Sequence, residues 1–229
     1  MRRLARVPRR VRDGKSAFAV LLVGMSLVSR APAAAPPEPA GKFVVEPRVL
    51  QAAKGLKVDA EAGTLMVREN RSVPGSRMIP IRFLRLKSRS TAPRAPLFYL
   101  AGGPGNRGVA DDPRSIGFWV PFLAVADVVL IDQRGVADPD LLWSWDGPPP
   151  LGFFASADSA LRHVAEMNRR AAAAIRARGV DVAGYNTIES ARDIDELRAA
   201  LGAEKVSVLA FSYGTHLACA YLRQFGDRV

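Results

Sequence analysis

Val206-Ser207-Val208-Leu209-Ala210-Phe211-Ser212-Tyr213-Gly214-Thr215-His216-Leu217-Ala218 is the stretch on which the fold turns. Its first half is a short apolar run with the composition of a buried strand. Its second half, after Ser-Tyr-Gly, is spaced like a helix. A serine at such a junction sits on a sharp turn that needs very small neighbours, because strand and helix pack closely around it. Here the neighbours are Ala210 and Gly214. An ordinary strand–turn–helix with a surface serine gives the same local pattern, so the upstream blocks must arbitrate.

Two blocks precede it in a telling order. Pro96-Leu97-Phe98-Tyr99-Leu100 predicts a short buried strand running into Ala101-Gly102-Gly103-Pro104-Gly105. Asp127-Val128-Val129-Leu130-Ile131 predicts a second strand, ending in Asp132-Gln133-Arg134-Gly135. A phosphate-binding loop is a poor reading of the glycine segment, since no G-K-[ST] follows and Pro104 has no N–H to donate. A glycine loop after one strand, D-Q-R-G after the next and a serine turn about eighty residues later together resemble the α/β-hydrolase superfamily. Within it the chain is most similar to the proline iminopeptidase and tripeptidyl aminopeptidase group of serine exopeptidases. Residues 185–229 carry that likeness furthest, with Asn186-Thr187, Asp193-Ile194-Asp195-Glu196-Leu197-Arg198 and Leu201-Gly202 leading to the serine turn. The resemblance covers roughly residues 45–229 and corresponds to the first half of that family's domain.

The resemblance implies an α/β-hydrolase fold: a mostly parallel sheet with flanking helices, its C-terminal half missing from these 229 residues. It makes Ser212 the catalytic nucleophile, on a G-x-S-x-G-like elbow whose first glycine is Ala210, as in some lipases of that fold. It makes the N–H groups of Gly103 and Tyr213 the oxyanion-hole donors, aimed at the charge that develops during acyl transfer. The proline iminopeptidase loop begins with histidine where this chain has Ala101, which favours the tripeptidyl aminopeptidase side. Asp132 and Arg134 fall at the carboxyl end of a strand, where open α/β sheets place their sites. They read as braces of neighbouring loops, through an ion pair and hydrogen bonds to backbone, rather than as catalytic groups.

A serine hydroxyl is a weak nucleophile and needs a base, ordinarily a histidine oriented by a carboxylate. In α/β-hydrolases the chain order is Ser, then Asp or Glu, then His. Seventeen residues follow Ser212. His163 lies before it in a helix-like run and His216 four residues after it, and both read as surface or packing histidines. The expectation is an incomplete triad, and a chain inactive by itself.

Hydrophobic residues make up 48% of the chain, enough for one domain to bury a sizeable core. The net charge of +11 suggests a nucleic-acid partner until it is located. Most of the excess lies in residues 1–33, where Arg2, Arg3, Arg6, Arg9, Arg10, Arg12, Lys15 and Arg30 face only Asp13. That segment has the physics of an export signal: a basic start, an apolar run over residues 17–28 and Ala31-Pro32-Ala33 as a small-residue cleavage site. The run is shorter than the ~20 residues that span a bilayer. Residues 34–42 read as a proline- and alanine-rich linker, and 43–229 as the hydrolase part.

The single cysteine, Cys219, reads as a small buried hydrophobe on the helix after the serine. Residues 56–68 predict two short strands around a turn at Glu61-Ala62-Gly63-Thr64, residues 78–87 an antiparallel strand, and residues 116–125 a short helix or loop. Leu141-Leu142-Trp143-Ser144-Trp145 and Pro148-Pro149-Pro150 form an aromatic, proline-stiffened loop. Residues 157–178 predict a long helix with a solvated arginine face. Asn186 with Glu189 predicts the cap of the next helix, whose apolar stripe is Ile188, Ala191, Ile194, Leu197 and Leu201.

The resulting expectation is an exported serine hydrolase acting on a peptide or ester, an aminopeptidase before a carboxylesterase on the same frame. It needs no cofactor and no metal, and binds neither nucleic acid nor, once the signal is removed, membrane. A non-catalytic fragment or pseudoenzyme is the alternative from another class. The export reading predicts a mature N-terminus near Ala34, checked by mass spectrometry of the exported protein. Residues 1–20 still attached would exclude cleavage there.

Overall fold

A computed structural model describes residues 42–136, 141 and 151–229. The signal segment, nearly all of the linker and most of the aromatic loop lie outside the described residues. All the described residues belong to one compact unit, Ala35–Val229.

Among the described residues six strands form one sheet: β1 (Phe43–Gln51), β2 (Lys57–Arg68), β3 (Met78–Leu86), β4 (Arg94–Leu100), β5 (Ala126–Ile131) and β6 (Ser207–Ala210). Their order across the sheet is β1-β2-β3-β5-β4-β6. The sheet is mixed. β1, β2, β3 and β5 pair antiparallel in succession, and only β5, β4 and β6 run parallel as expected. Two reversals, from β5 to β3 and from β3 to β2, bring the carboxyl end of β2 to the same sheet edge as the carboxyl ends of β5, β4 and β6. Four strands therefore deliver their following loops to one rim.

Among the described residues α1 (Pro113–Trp119), α3 (Thr187–Ala200) and α4 (Tyr213–Phe225) pack on the sheet, while α2 (Ala157–Ala177) buries none of its residues and contacts the short turns on either side of it. β5 reads as an unbroken apolar run because both its faces are covered. Val129 and Ile131 join Phe98, Leu100, Ile194, Leu197, Leu217 and Tyr221 on the α3/α4 face. Val128 and Leu130 join Leu84, Leu86, Ile116, Trp119 and Leu123 on the α1 face. The change of apolar face along β3 has the same cause: Ile79, Ile81 and Phe83 pack on the first cluster, Leu84 and Leu86 on the second.

Four sequence expectations are corrected. The sheet is mixed rather than mostly parallel. Ile188, expected on the apolar stripe of α3, is exposed, because it lies in the helix's first turn outside the face that Ala191, Ile194 and Leu197 bury. Residues 57–68 are one strand rather than two, and Gly63 lies inside it opposite Phe83. The Phe83 ring occupies the space that a side chain at 63 would take, and Phe43 stacks on it at 5.7 Å and 7°. The glycine that suggested a turn is thus a seat for an aromatic ring. Cys219 is exposed rather than buried. Leu217 and Tyr221, one turn apart, face the core, and two residues from Leu217 the helix has turned Cys219 to the far side. β1, for which residues 43–51 gave no signal, is held by its full-length pairing with β2 and is largely exposed.

Gly63→Val should lower stability by about 1–3 kcal/mol, the usual cost of overpacking. Urea unfolding checks it, and an unchanged midpoint would contradict this packing.

Candidate active site

Ser212 stands at the N-terminal end of α4, two residues after β6 ends, with φ 50° and ψ −125°. A non-glycine residue at positive φ is uncommon and costs of order 1–3 kcal/mol, which the surrounding structure must hold in place. The hold is visible. Phe211 N–H donates to the Leu100 carbonyl at 3.2 Å, fastening the turn to the end of β4. Gly214 lies so close to β4 that an added Cβ would sit 2.2 Å from the Leu100 oxygen and 2.9 Å from that of Ala101. Leu217 and Tyr221 then bury the next turns of α4 in the core. Ser212 itself is exposed.

The glycine loop following β4 lies against this serine. A Cβ on Gly102 would be 3.0 Å from the Ser212 Cβ and 3.6 Å from its Oγ. Gly102 was not singled out in the sequence, where only the amide donors of the loop were considered; the need for a side-chain-free residue beside the serine is the signal that could have found it. Gly103 adopts φ 109°. Among the described residues the N–H groups of Gly103 and Tyr213 donate to no protein acceptor. Tyr213 N–H belongs to the first turn of α4, whose amides have no partner within the helix.

The D-Q-R-G segment after β5 braces the rim from three directions. Asp132 accepts from the amides of Gly108 and Val109 at 2.9 and 3.0 Å. Gln133 Nε2 donates to the Ala101 carbonyl at 2.8 Å. Arg134 is buried and makes a two-pronged pair with Asp193, 2.7 Å on each side, while also donating to the carbonyls of Glu69 and Gly184. Both charged residues are braces, as their position predicted, but they do not pair with each other.

Asp193 is shared with a second arginine. Arg71, in the turn after β2, reaches Asp193 at 2.7 Å, Glu189 at 2.6 Å and Glu196 at 2.8 Å. Burial works against the Arg71 charge, yet Asp193, Glu196 and Glu189 outweigh it and hold its guanidinium above the usual arginine range. Burial also pushes the Glu196 carboxyl up, against the pull of Arg71. Beside them Glu69 accepts from Arg77 Nε and from the Tyr185 hydroxyl, each at 2.8 Å. Burial pushes that phenol up, and its hydrogen bond to Glu69 adds to the shift. The network fixes the start of α3, where Asn186 Oδ1 caps the helix by accepting from Glu189 N–H at 3.0 Å.

Between these braces lies a pocket of about 560 Å³, bounded by the glycine loop at Pro104 and Gly105, by Gln133, by Tyr185 and Thr187, and by Tyr213. The Tyr213 hydroxyl is 2.9 Å from Thr187 Oγ1. Tyr213 lines this pocket, while Ser212 and Gly103 are not among its lining residues; Ser212 lies against Gly102, the neighbour of Gly103. His163 lies edge-on to Phe153 in α2 and His216 beside the Tyr213 ring, and neither is hydrogen-bonded to Ser212 among the described residues. No group of three or more His, Cys, Asp or Glu among the described residues is arranged to hold a metal ion.

A family model described as "alpha/beta hydrolase fold" matches residues 95–229. The tripeptidyl aminopeptidase of Streptomyces lividans is 31% identical over 144 residues, which are 58% of this chain and 26% of that protein. Serine protease Hip1 of Mycobacterium tuberculosis is 44% identical over 48 residues, 21% of this chain and 9% of that protein. The chain therefore spans about a quarter or less of the curated relatives it matches. Among solved structures, a proline iminopeptidase-related protein of Thermus thermophilus aligns with 80% of this chain and 42% of its own, at TM-score 0.35 and 17% identity. An epoxide hydrolase variant of Vigna radiata aligns with 81% and 36%, at TM-score 0.37 and 14% identity.

Removing one partner of a buried ion pair leaves an uncompensated charge and typically costs about 3–5 kcal/mol. Asp193→Ala, which strands Arg134, should lower the unfolding free energy by that amount in a urea titration. A loss below about 1 kcal/mol would show that the arginine is compensated from elsewhere.

Proposed function

The chain belongs to the α/β-hydrolase family, and from that premise we propose a serine hydrolase of the peptidase kind, an exported aminopeptidase acting through an acyl-enzyme on Ser212. The observation that carries the reading is the backbone of Ser212: positive φ between β6 and α4, flush against the side-chain-free Gly102. An exposed hydroxyl on that turn, with the Tyr213 amide next in sequence and Gly102 against it, supports the reading. The likeness to a tripeptidyl aminopeptidase and a serine protease supports a peptide as substrate. The basic and apolar residues 1–33 support export.

The chemistry follows from the parts. Ser212 Oγ attacks the carbonyl carbon of the scissile bond and gives its proton to a base. The carbonyl oxygen takes up negative charge and is met by the N–H groups of Gly103 and Tyr213. One such donor is worth roughly a hundredfold to a thousandfold in rate. Collapse expels the amine, which leaves with the proton, and water then releases the acyl group from Ser212. The base this requires is an imidazole within hydrogen-bond reach of Oγ. Among the described residues neither His163, beside Phe153, nor His216, beside Tyr213, is hydrogen-bonded to Ser212, and the reading assigns the base to neither.

In the natural full-length protein a fluorophosphonate probe should label Ser212, and Ser212→Ala should abolish both labelling and hydrolysis. Loss of a triad member costs on the order of a millionfold in kcat. Equal activity in the alanine variant would move the nucleophile elsewhere. Peptide p-nitroanilides set beside simple p-nitrophenyl esters separate the aminopeptidase from a carboxylesterase on the same frame.

A further inference from the structure

We propose that Gln133 is a positioning residue for the oxyanion hole, holding the glycine loop so that its amides are aimed before substrate arrives. This rests on the serine-hydrolase reading above. Ala101-Gly102-Gly103 links the end of β4 to the site, and two of its three residues lack a side chain. Glycine backbone is the least restrained of any. Oxyanion stabilisation, however, depends on donors that need no reorganisation at the moment of reaction. A loop that must be open enough to touch Ser212 and rigid enough to aim an amide needs an external restraint.

Gln133 supplies one from the neighbouring strand. Its Nε2 donates to the Ala101 carbonyl at 2.8 Å. A peptide unit is planar, with C=O and N–H fixed opposite one another, so holding the Ala101 oxygen sets the direction of the Gly102 N–H and anchors the loop one peptide before the Gly103 donor. From the other side the same carbonyl is confined by Gly214, whose missing Cβ would stand 2.9 Å from that oxygen. The loop's first peptide is thereby clamped between α4 and the D-Q-R-G segment.

The clamp is only as firm as its base, and the base is firm. The residue before Gln133 is fixed by two backbone amides and the residue after it by Asp193 and two carbonyls. Of the three polar side chains in the segment, Gln133 is the one that crosses to the glycine loop. Its side chain is half-buried at the pocket wall, and its hydrogen bond goes to the loop, through which it acts.

The test uses Gln133→Met, which keeps length and removes the donor, and Gln133→Glu, which sets a carboxylate against the carbonyl. Both are made in the natural full-length protein. Turnover of p-nitrophenyl acetate should fall about tenfold in kcat, a fraction of the 10²–10³ lost with an oxyanion donor itself, with KM within about twofold and an unchanged melting temperature. Hydrogen–deuterium exchange should speed up in peptides covering residues 100–105 and nowhere else. A loss expressed in KM or melting temperature with kcat unchanged would overturn the proposal, as would unaltered exchange over residues 100–105. Should the unsubstituted protein be neither labelled by fluorophosphonate nor able to turn over the ester, the hydrolase reading fails. Exchange then decides alone whether Gln133 restrains the loop.

Discussion

The first turn of α4 reaches the end of β4 only because Gly214 has no side chain. A methyl there would stand 2.2 Å from the Leu100 oxygen, a backbone atom at the end of β4 held between β5 and β6. The approach is so close that the intervening residues must turn within a very short span, and Ser212 takes the strained conformation that results. Its cost is offset by what α4 gains on arrival, the burial of Leu217 and Tyr221 against the β3 and β4 side chains. Each fully buried side chain of that kind is worth about 1.5–3 kcal/mol. Strain at the serine and packing in the core are two ends of one lever.

The rim around the serine follows a second logic. Buried charges are weak evidence for stability, but they are demanding about geometry, because each needs its partners in place. Arg134 and Arg71 converge on Asp193 from two different loops, and Glu69 gathers Arg77 and Tyr185 beside them. No buried side-chain nitrogen or oxygen among the described residues lacks a partner. The network ties the β2–β3 turn, the D-Q-R-G segment and the start of α3 into one wall of the pocket. The antiparallel half of the sheet, which carries no candidate catalytic group, contributes to the site in this way.

Contiguous features were legible in the sequence. The serine turn, the glycine loop, β5, α2 and the Asn186 cap are each written in neighbouring residues, and each stands where the pattern put it, within a residue or two. What escaped depended on partners distant in the chain. β1 is mostly exposed, so its residues carry no burial pattern and hydrogen bonding to β2 alone makes it a strand. Gly63 resembles a turn until Phe83 lies opposite it. Gln133 on Ala101, thirty-two residues away, and Arg71 on Glu189, one hundred and eighteen away, leave no local trace. Cys219 was misread because apolar neighbours were weighed without the phase of the helix.

The span of the Asp193 network also bears on how the molecule comes together. Contacts between residues far apart in sequence must wait for large loops to close, and chains rich in them fold slowly. Arg71 finds Glu189, Asp193 and Glu196 across separations of 118 to 125 residues. During synthesis the β2–β3 turn therefore emerges long before the helix that carries the partners of Arg71, whereas the Glu69 partner of Arg77 lies within the turn itself.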